Sequence, residues 1–139
     1  MPKIQVVEAG SMPWMTQDED GPDGERRLIE IPEPDDERSA ARHPHPGSDT
    51  QLYLHEAQLP PNKQVASHAH RSDEIIYILD GEIHLGARVL GPGSSVFVPG
   101  MTLYAFRAGP KGVRFLNFRG RKDTTHLTKE EFLAERRGS

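Results

Sequence analysis

The chain contains no cysteine. That excludes disulfides, thiolate metal sites and a cysteine nucleophile together, and it suits a reducing compartment. Long apolar runs are also missing. Nothing approaches the ~20 apolar residues of a membrane span, and Ile4-Gln5-Val6-Val7 is too short for the core of a signal peptide. The expectation is a cytoplasmic chain with no membrane partner. A basic excess is absent too: 17 Lys and Arg against 21 Asp and Glu give a formal charge of -4. A nucleic-acid binder would show a basic face or stripe, so no nucleic-acid partner is expected. The late cluster Arg114, Arg119, Arg121, Lys122, Arg136 and Arg137 reads as solvated surface. No phosphate loop, nucleophilic-serine motif or dinucleotide fingerprint occurs. A length of 139 residues fits one domain with a single core.

Composition shifts near residue 50. Residues 1–49 hold many of the prolines and acidic groups, as in Asp18-Glu19-Asp20-Gly21-Pro22 and Pro32-Glu33-Pro34-Asp35. Such stretches bury too little apolar surface to offset chain entropy. They predict a largely irregular N-terminal arm with one short edge strand at 26–31. Met12, Trp14 and Met15 are its concentrated apolar group, which favours an arm packed on the barrel or on a partner subunit over a free tail.

Residues 50–120 read as all-β. Short strands are punctuated by Gly86-Ala87, Gly91-Pro92-Gly93, Pro99-Gly100 and Gly109-Pro110-Lys111-Gly112. Regular spacing of this kind predicts a small sandwich or jelly roll. The tail, 121–139, carries a helix at 128–137. Thr128 and Glu131 form a capping box, Leu127 and Phe132 a hydrophobic staple, and Gly138 a stop.

His68, His70 and Glu74 stand out within this frame. Side chains one residue apart on a strand share a face. A turn through Arg71, Ser72 and Asp73 returns Glu74 toward that face. Two neutral imidazoles and a carboxylate suit a divalent first-row metal as a facial set with open positions opposite. His43-Pro44-His45 is a second such pair, but it lies among prolines with no acidic partner at useful spacing. His126 precedes the helix and is expected to be exposed.

The stretch from His68 to Gly81 resembles the first motif of the cupin superfamily, G-x5-H-x-H-x3-4-E-x6-G, with Asn62 at the leading glycine. Asn tolerates the left-handed turn that position needs. The second motif, G-x5-P-x-G-x2-H-x3-N, begins well at Gly93 and Pro99. It then departs, with Met101, Tyr104 and Ala108 at the glycine, histidine and asparagine positions. An alignment shifted to Gly100 puts Leu103 at the histidine position instead. In either register the family's fourth ligand is not a histidine.

The resemblance, which covers about residues 50–120, implies a conical double-stranded β-helix, the cupin jelly-roll barrel, and a homodimer. It also implies a metal-dependent enzyme with a small-molecule substrate. His68, His70 and Glu74 are the expected metal ligands. Tyr104 either ligates as a phenolate, lines the pocket as a hydrogen-bond donor, or turns away. Tyr53, His55 and His84 are candidates to support the ligands or to serve as acid or base, and Tyr53 and His55 share strand parity. The leading reading is an Fe(II) dioxygenase acting on an enol, diketone or phenolic compound. An isomerase or lyase using Zn, Mn or Ni, with Tyr104, His55 or His84 as base, is the alternative. The third is a non-catalytic ligand-binding cupin.

Overall fold

The computed structural model describes residues 2–18, 27–123 and 125–138. The elements run β1 Trp14–Asp18, β2 Arg27–Ile31, β3 Ala40–His45, β4 Tyr53–Leu59, β5 Gln64–Ala69 and β6 Glu74–Leu85. They continue with β7 Arg88–Leu90, β8 Ser95–Val98, β9 Tyr104–Arg119, β10 Leu127–Thr128 and helix α1 Lys129–Arg137. The expected all-β jelly-roll barrel is the fold found.

Two long strands organise it. β9 pairs antiparallel with β4 through 113–119, with β5 near its start, and with β6 along most of its length. Both β6 and β9 bend at one place, where Gly81 and Gly112 take positive φ of 73° and 78°. A Cβ on Gly81 would lie 2.2 Å from the Gly112 carbonyl oxygen, so the close crossing requires glycine. This bend joins into single strands what the turn residues predict as separate ones. Alternation then sorts the faces: Glu74, Ile76 and Ile78 are buried, whereas Ile75, Tyr77 and Leu79 are exposed. The core gathers Ala57, Ile76, Ile78, Ile83, Phe106, Ala108, Val113 and Phe115.

The N-terminal arm is irregular over much of its described length, but it forms three short strands where one edge strand was expected. β1 pairs with both β2 and β3, and β3 pairs with β4, so the arm widens the barrel's sheet. Arg26, the first residue of the expected edge strand, lies outside the described residues. Trp14 is buried at 5% exposure, and the Arg42 and Arg114 guanidinium carbons lie 4.4 and 5.3 Å from its ring centroid. The packed arm, rather than a free tail, is what forms.

Helix α1 is capped as its sequence predicts. The Glu131 amide donates to Thr128 Oγ1 at 3.1 Å, and Phe132 is buried. Arg71 holds Glu135 through two nitrogens at 2.8 and 3.0 Å, docking the helix on the loop after β5. No described helix is long and apolar enough to cross a membrane.

Candidate metal centre

The ends of β5, β6 and β9 meet at one end of the barrel. Asn62, with φ of 61°, makes the left-handed turn that leads into β5. Met101 has φ of 59°, an unusual value for a non-glycine residue. It therefore occupies the glycine position of the second motif. Its amide donates to the His70 carbonyl at 2.7 Å. The strand register places Tyr104 directly opposite His68. The unshifted alignment is thus the correct one, and Tyr104 stands at the histidine position.

Glu74 is 2% exposed. Its Oε2 accepts from Asn117 Nδ2 at 2.7 Å and pairs with Arg119 Nη2 at 3.2 Å. Tyr104 donates its hydroxyl to Oε1 through a short hydrogen bond. Burial pushes the Glu74 carboxyl up, but the Tyr104 and Asn117 hydrogen bonds and the Arg119 charge outweigh it and hold it below its ordinary value. Burial and the Glu74 charge raise Tyr104 well above the usual phenol, so it keeps its proton.

Arg119 is 8% exposed, which corrects its reading as solvated surface. Tyr53, Arg119 and Glu74 lie opposite one another across β4, β9 and β6. Neither Asn117 nor Arg119 was expected at the site from the sequence. Their signal was present: they continue the inward alternation of Val113 and Phe115 with two polar residues.

Both expected histidine ligands have fixed tautomers. His68 Nδ1 faces the Ala66 carbonyl at 2.9 Å, and His70 Nδ1 makes a short contact with the Thr125 carbonyl. A carbonyl only accepts, so each Nδ1 carries a proton, and in the neutral ring Nε2 presents a lone pair. Burial lowers His68 from its ordinary value, which favours this neutral form. His68 Nε2 lies 3.1 Å from the Tyr104 oxygen. The tyrosine proton thus faces two acceptors, Glu74 Oε1 and His68 Nε2, and satisfies one at a time.

Among the described residues, no three His, Asp or Glu side chains converge into a ready cation cage. The donor chemistry nevertheless fits a divalent ion. Lone pairs outnumber protons at the Tyr104 hydroxyl, and both imidazoles are held by backbone carbonyls as histidine ligands commonly are.

The remaining candidates divide. His55 comes near the site. Its Nδ1 shares a hydrogen bond of 2.7 Å with the Tyr53 hydroxyl, and its ring lies 5.3 Å from that of His43. Burial, then the His43 and Arg119 charges, bring His55 down to about 4. His43, set aside in the sequence, is exposed on β3, and its ring packs against Tyr53 and His55 from the outside. His84 is not brought to the site. The register of β6 shifts between Gly81 and Ile83, which turns Ile83 inward and His84 outward to Glu82 and Arg107. His126 is exposed as expected, yet it stacks on His68 at 4.8 Å between centroids with planes 8° apart.

Beside Tyr104 lies a cavity of about 180 Å³, lined by Ile76, Ile83, Leu85, Val96 and Phe106 among others. Tyr104 and Thr102 also line this wall, which is almost wholly apolar.

A jelly-roll barrel with a histidine pair at this end of β5 and a buried glutamate opening β6 defines a cupin-type site. Residues 55–118 match the family model of the Cupin domain, which makes the barrel a small cupin domain. It is similar to the polyketide cyclase RemF from Streptomyces resistomycificus, with 25% identity and a TM-score of 0.55 over 71% of this chain and 76% of that one. The DMSP lyase DddQ from Ruegeria pomeroyi DSS-3 shares 26% identity with a TM-score of 0.50, over 59% of this chain and 45% of the lyase. A cupin-2 domain from Rhodospirillum rubrum, Rru_A2000, is 18% identical with a TM-score of 0.55 over 73% and 72% of the two chains, and shows the fold alone. No curated protein matches the chain.

Proposed function

We propose that this cupin is a metal-dependent enzyme acting on a compact, largely apolar enol, diketone or phenolic compound. One observation carries the reading. His68 Nε2 and Glu74 Oε1 meet at the Tyr104 hydroxyl, and the Tyr104 side chain lines an apolar cavity. His68, His70 and Glu74 would hold the ion. A bound divalent ion supplies Lewis-acid polarisation of a substrate oxygen, or a position for O2 beside the substrate.

This chain's own residues do the rest. Tyr104 keeps its proton and offers it to a substrate oxygen as a general acid. Asn117 and Arg119 hold Glu74 by Oε2 and keep it ionised. The aliphatic wall excludes water and selects a substrate with little polar surface.

Non-redox chemistry with Zn, Mn or Ni is the better supported form. A held, protonated tyrosine suits isomerisation, cyclisation or elimination, and the likenesses at 25% and 26% identity are to a cyclase and a lyase. An Fe(II) dioxygenase is the second reading. It is favoured because a neutral Tyr104 leaves three protein donors for the ion, and so open positions for O2 and substrate. A reducing, cytoplasmic compartment suits both and a chain free of cysteine.

The test uses protein purified without a histidine tag and loaded separately with Fe, Zn, Mn and Ni. Enols, diketones and phenols are then offered with and without O2. Turnover under anaerobic conditions supports the Lewis-acid reading, and O2-dependent turnover the dioxygenase. Failure to retain any of the four ions sinks both.

A further inference from the structure

We propose that Asp123 is a positioning residue for the histidine pair. Its carboxylate ties Ser72 to Thr125, so that the Thr125 carbonyl faces His70 Nδ1 and His126 lies flat on His68. The consequence for metal affinity rests on the metal-dependent reading above; the positioning itself does not.

Asp123 is buried at 8% exposure although it belongs to the tail after the barrel. Its Oδ2 accepts from the Ser72 amide at 2.7 Å, and its Oδ1 accepts from the Thr125 amide at 2.9 Å and from the Thr125 hydroxyl. The Thr125 oxygen in turn accepts from the Arg71 amide at 3.0 Å. Arg119 donates to the Asp123 carbonyl, joining this knot to the guanidinium that pairs with Glu74. The buried carboxylate therefore connects the loop after β5 to the approach to β10, and the backbone carbonyl of the same residue adds the end of β9.

The geometry reaches the imidazoles by two routes. The first is the Thr125 carbonyl, whose contact with His70 Nδ1 fixes the proton there and leaves Nε2 as a lone pair. Without that acceptor the ring is free to rotate and to exchange tautomers. The second is His126, stacked on His68 with planes 8° apart. An imidazole lone pair lies in the plane of its ring, so two stacked rings do not aim lone pairs at one ion. His126 therefore shields a face of His68 instead of joining a ligand set with it.

His68 provides an internal control. Its Nδ1 partner, the Ala66 carbonyl, lies in β5 itself and does not depend on Asp123.

The experiment is a long-range proton–nitrogen correlation on the full, ion-free, nitrogen-labelled chain at neutral pH. It reads which nitrogen of each imidazole is protonated. In the native chain both His68 and His70 are expected as the Nδ1–H form. In Asp123→Ala, His70 is expected as a tautomer mixture while His68 is unchanged. Zn(II) titration of the same samples is expected to show affinity falling about 10- to 100-fold, the usual effect of losing a partner behind a ligand. Should Asp123→Ala fail to fold, Asp123→Asn, which keeps one acceptor and the shape, is read by the same criteria. A His70 that stays in the Nδ1–H form, or a His68 that shifts along with it, overturns the proposal. Native protein that takes up no Zn(II) defeats the metal reading alone, because the tautomer comparison still decides the role of Asp123.

Discussion

Glu74 and Arg119 form a buried ion pair at 3.2 Å, with side-chain exposures of 1% and 9%. Removing one member leaves the other charged, buried and unpaired. Arg119→Met is therefore expected to lose about 3–5 kcal/mol of unfolding free energy. The double variant Glu74→Gln/Arg119→Met should recover much of that loss. Urea unfolding of the three proteins measures it, and a single variant within about 1 kcal/mol of native shows that the pair is not a structural keystone. The same pair makes Glu74→Gln a cleaner probe of ligation than Glu74→Ala.

His68→Ala and His70→Ala are each expected to lose most bound ion while still unfolding cooperatively, since neither side chain belongs to the apolar core. Elemental analysis after dialysis reads the first property and a thermal scan the second. Affinity should weaken as pH falls below about 6, where imidazole protonation competes with the ion.

Tyr104→Phe removes the proton donor but keeps the ring that lines the cavity. Turnover is expected to fall about 10²–10⁴-fold with binding little changed. Because burial and Glu74 raise the tyrosine above its ordinary value, the native pH–rate profile should show no tyrosine limb below pH ~10. A limb at lower pH that vanishes in Tyr104→Phe would mean that the phenol ionises during turnover.

His55 predicts an acid-side loss of stability. Its folded value, about 4, lies below the unfolded 6.5, so the unfolded chain binds the extra proton first. The native state keeps this advantage above pH ~6.5 and loses it as pH falls toward 4. The effect is on the order of 3 kcal/mol at most. Urea midpoints from pH 7 to 4 should fall less steeply in His55→Gln than in the native chain. Equal slopes would remove His55 as the cause.

A homodimer is proposed through the outer face of the barrel sheet. Ile75 lies opposite both Phe97 and Phe118, and all three are exposed, as is Tyr77. An apolar patch of this kind, without charge at its centre, marks an interaction face. Light scattering behind size exclusion should find a dimer for the native chain and a monomer for Phe97→Glu. A native monomer at tens of micromolar would end this proposal.

Much of the barrel was legible because its rules are local. Glycine and proline turns, strand alternation and the capping box at Thr128 each act within a few residues. The histidine pair and Glu74 were legible for the same reason, since their spacing lies within one turn and two strand ends. Two further arm strands, β1 and β3, went unseen because proline content speaks against regular structure, whereas pairing to β4 recruits β3 regardless of composition. His84 was misplaced because one register shift after Gly81 inverts its face.

The amino-acid sequence alone determined the strand-rich class, the left-handed turn at Asn62, the capped helix, and the presence of metal-compatible donors. Tertiary structure decided what those donors meet. It set Tyr104 opposite His68, folded Arg119 in against Glu74, and carried Asp123, Thr125 and His126 back to the histidine pair. These contacts join residues tens of positions apart. Their partners are fixed by sheet register and chain closure, which no local pattern encodes.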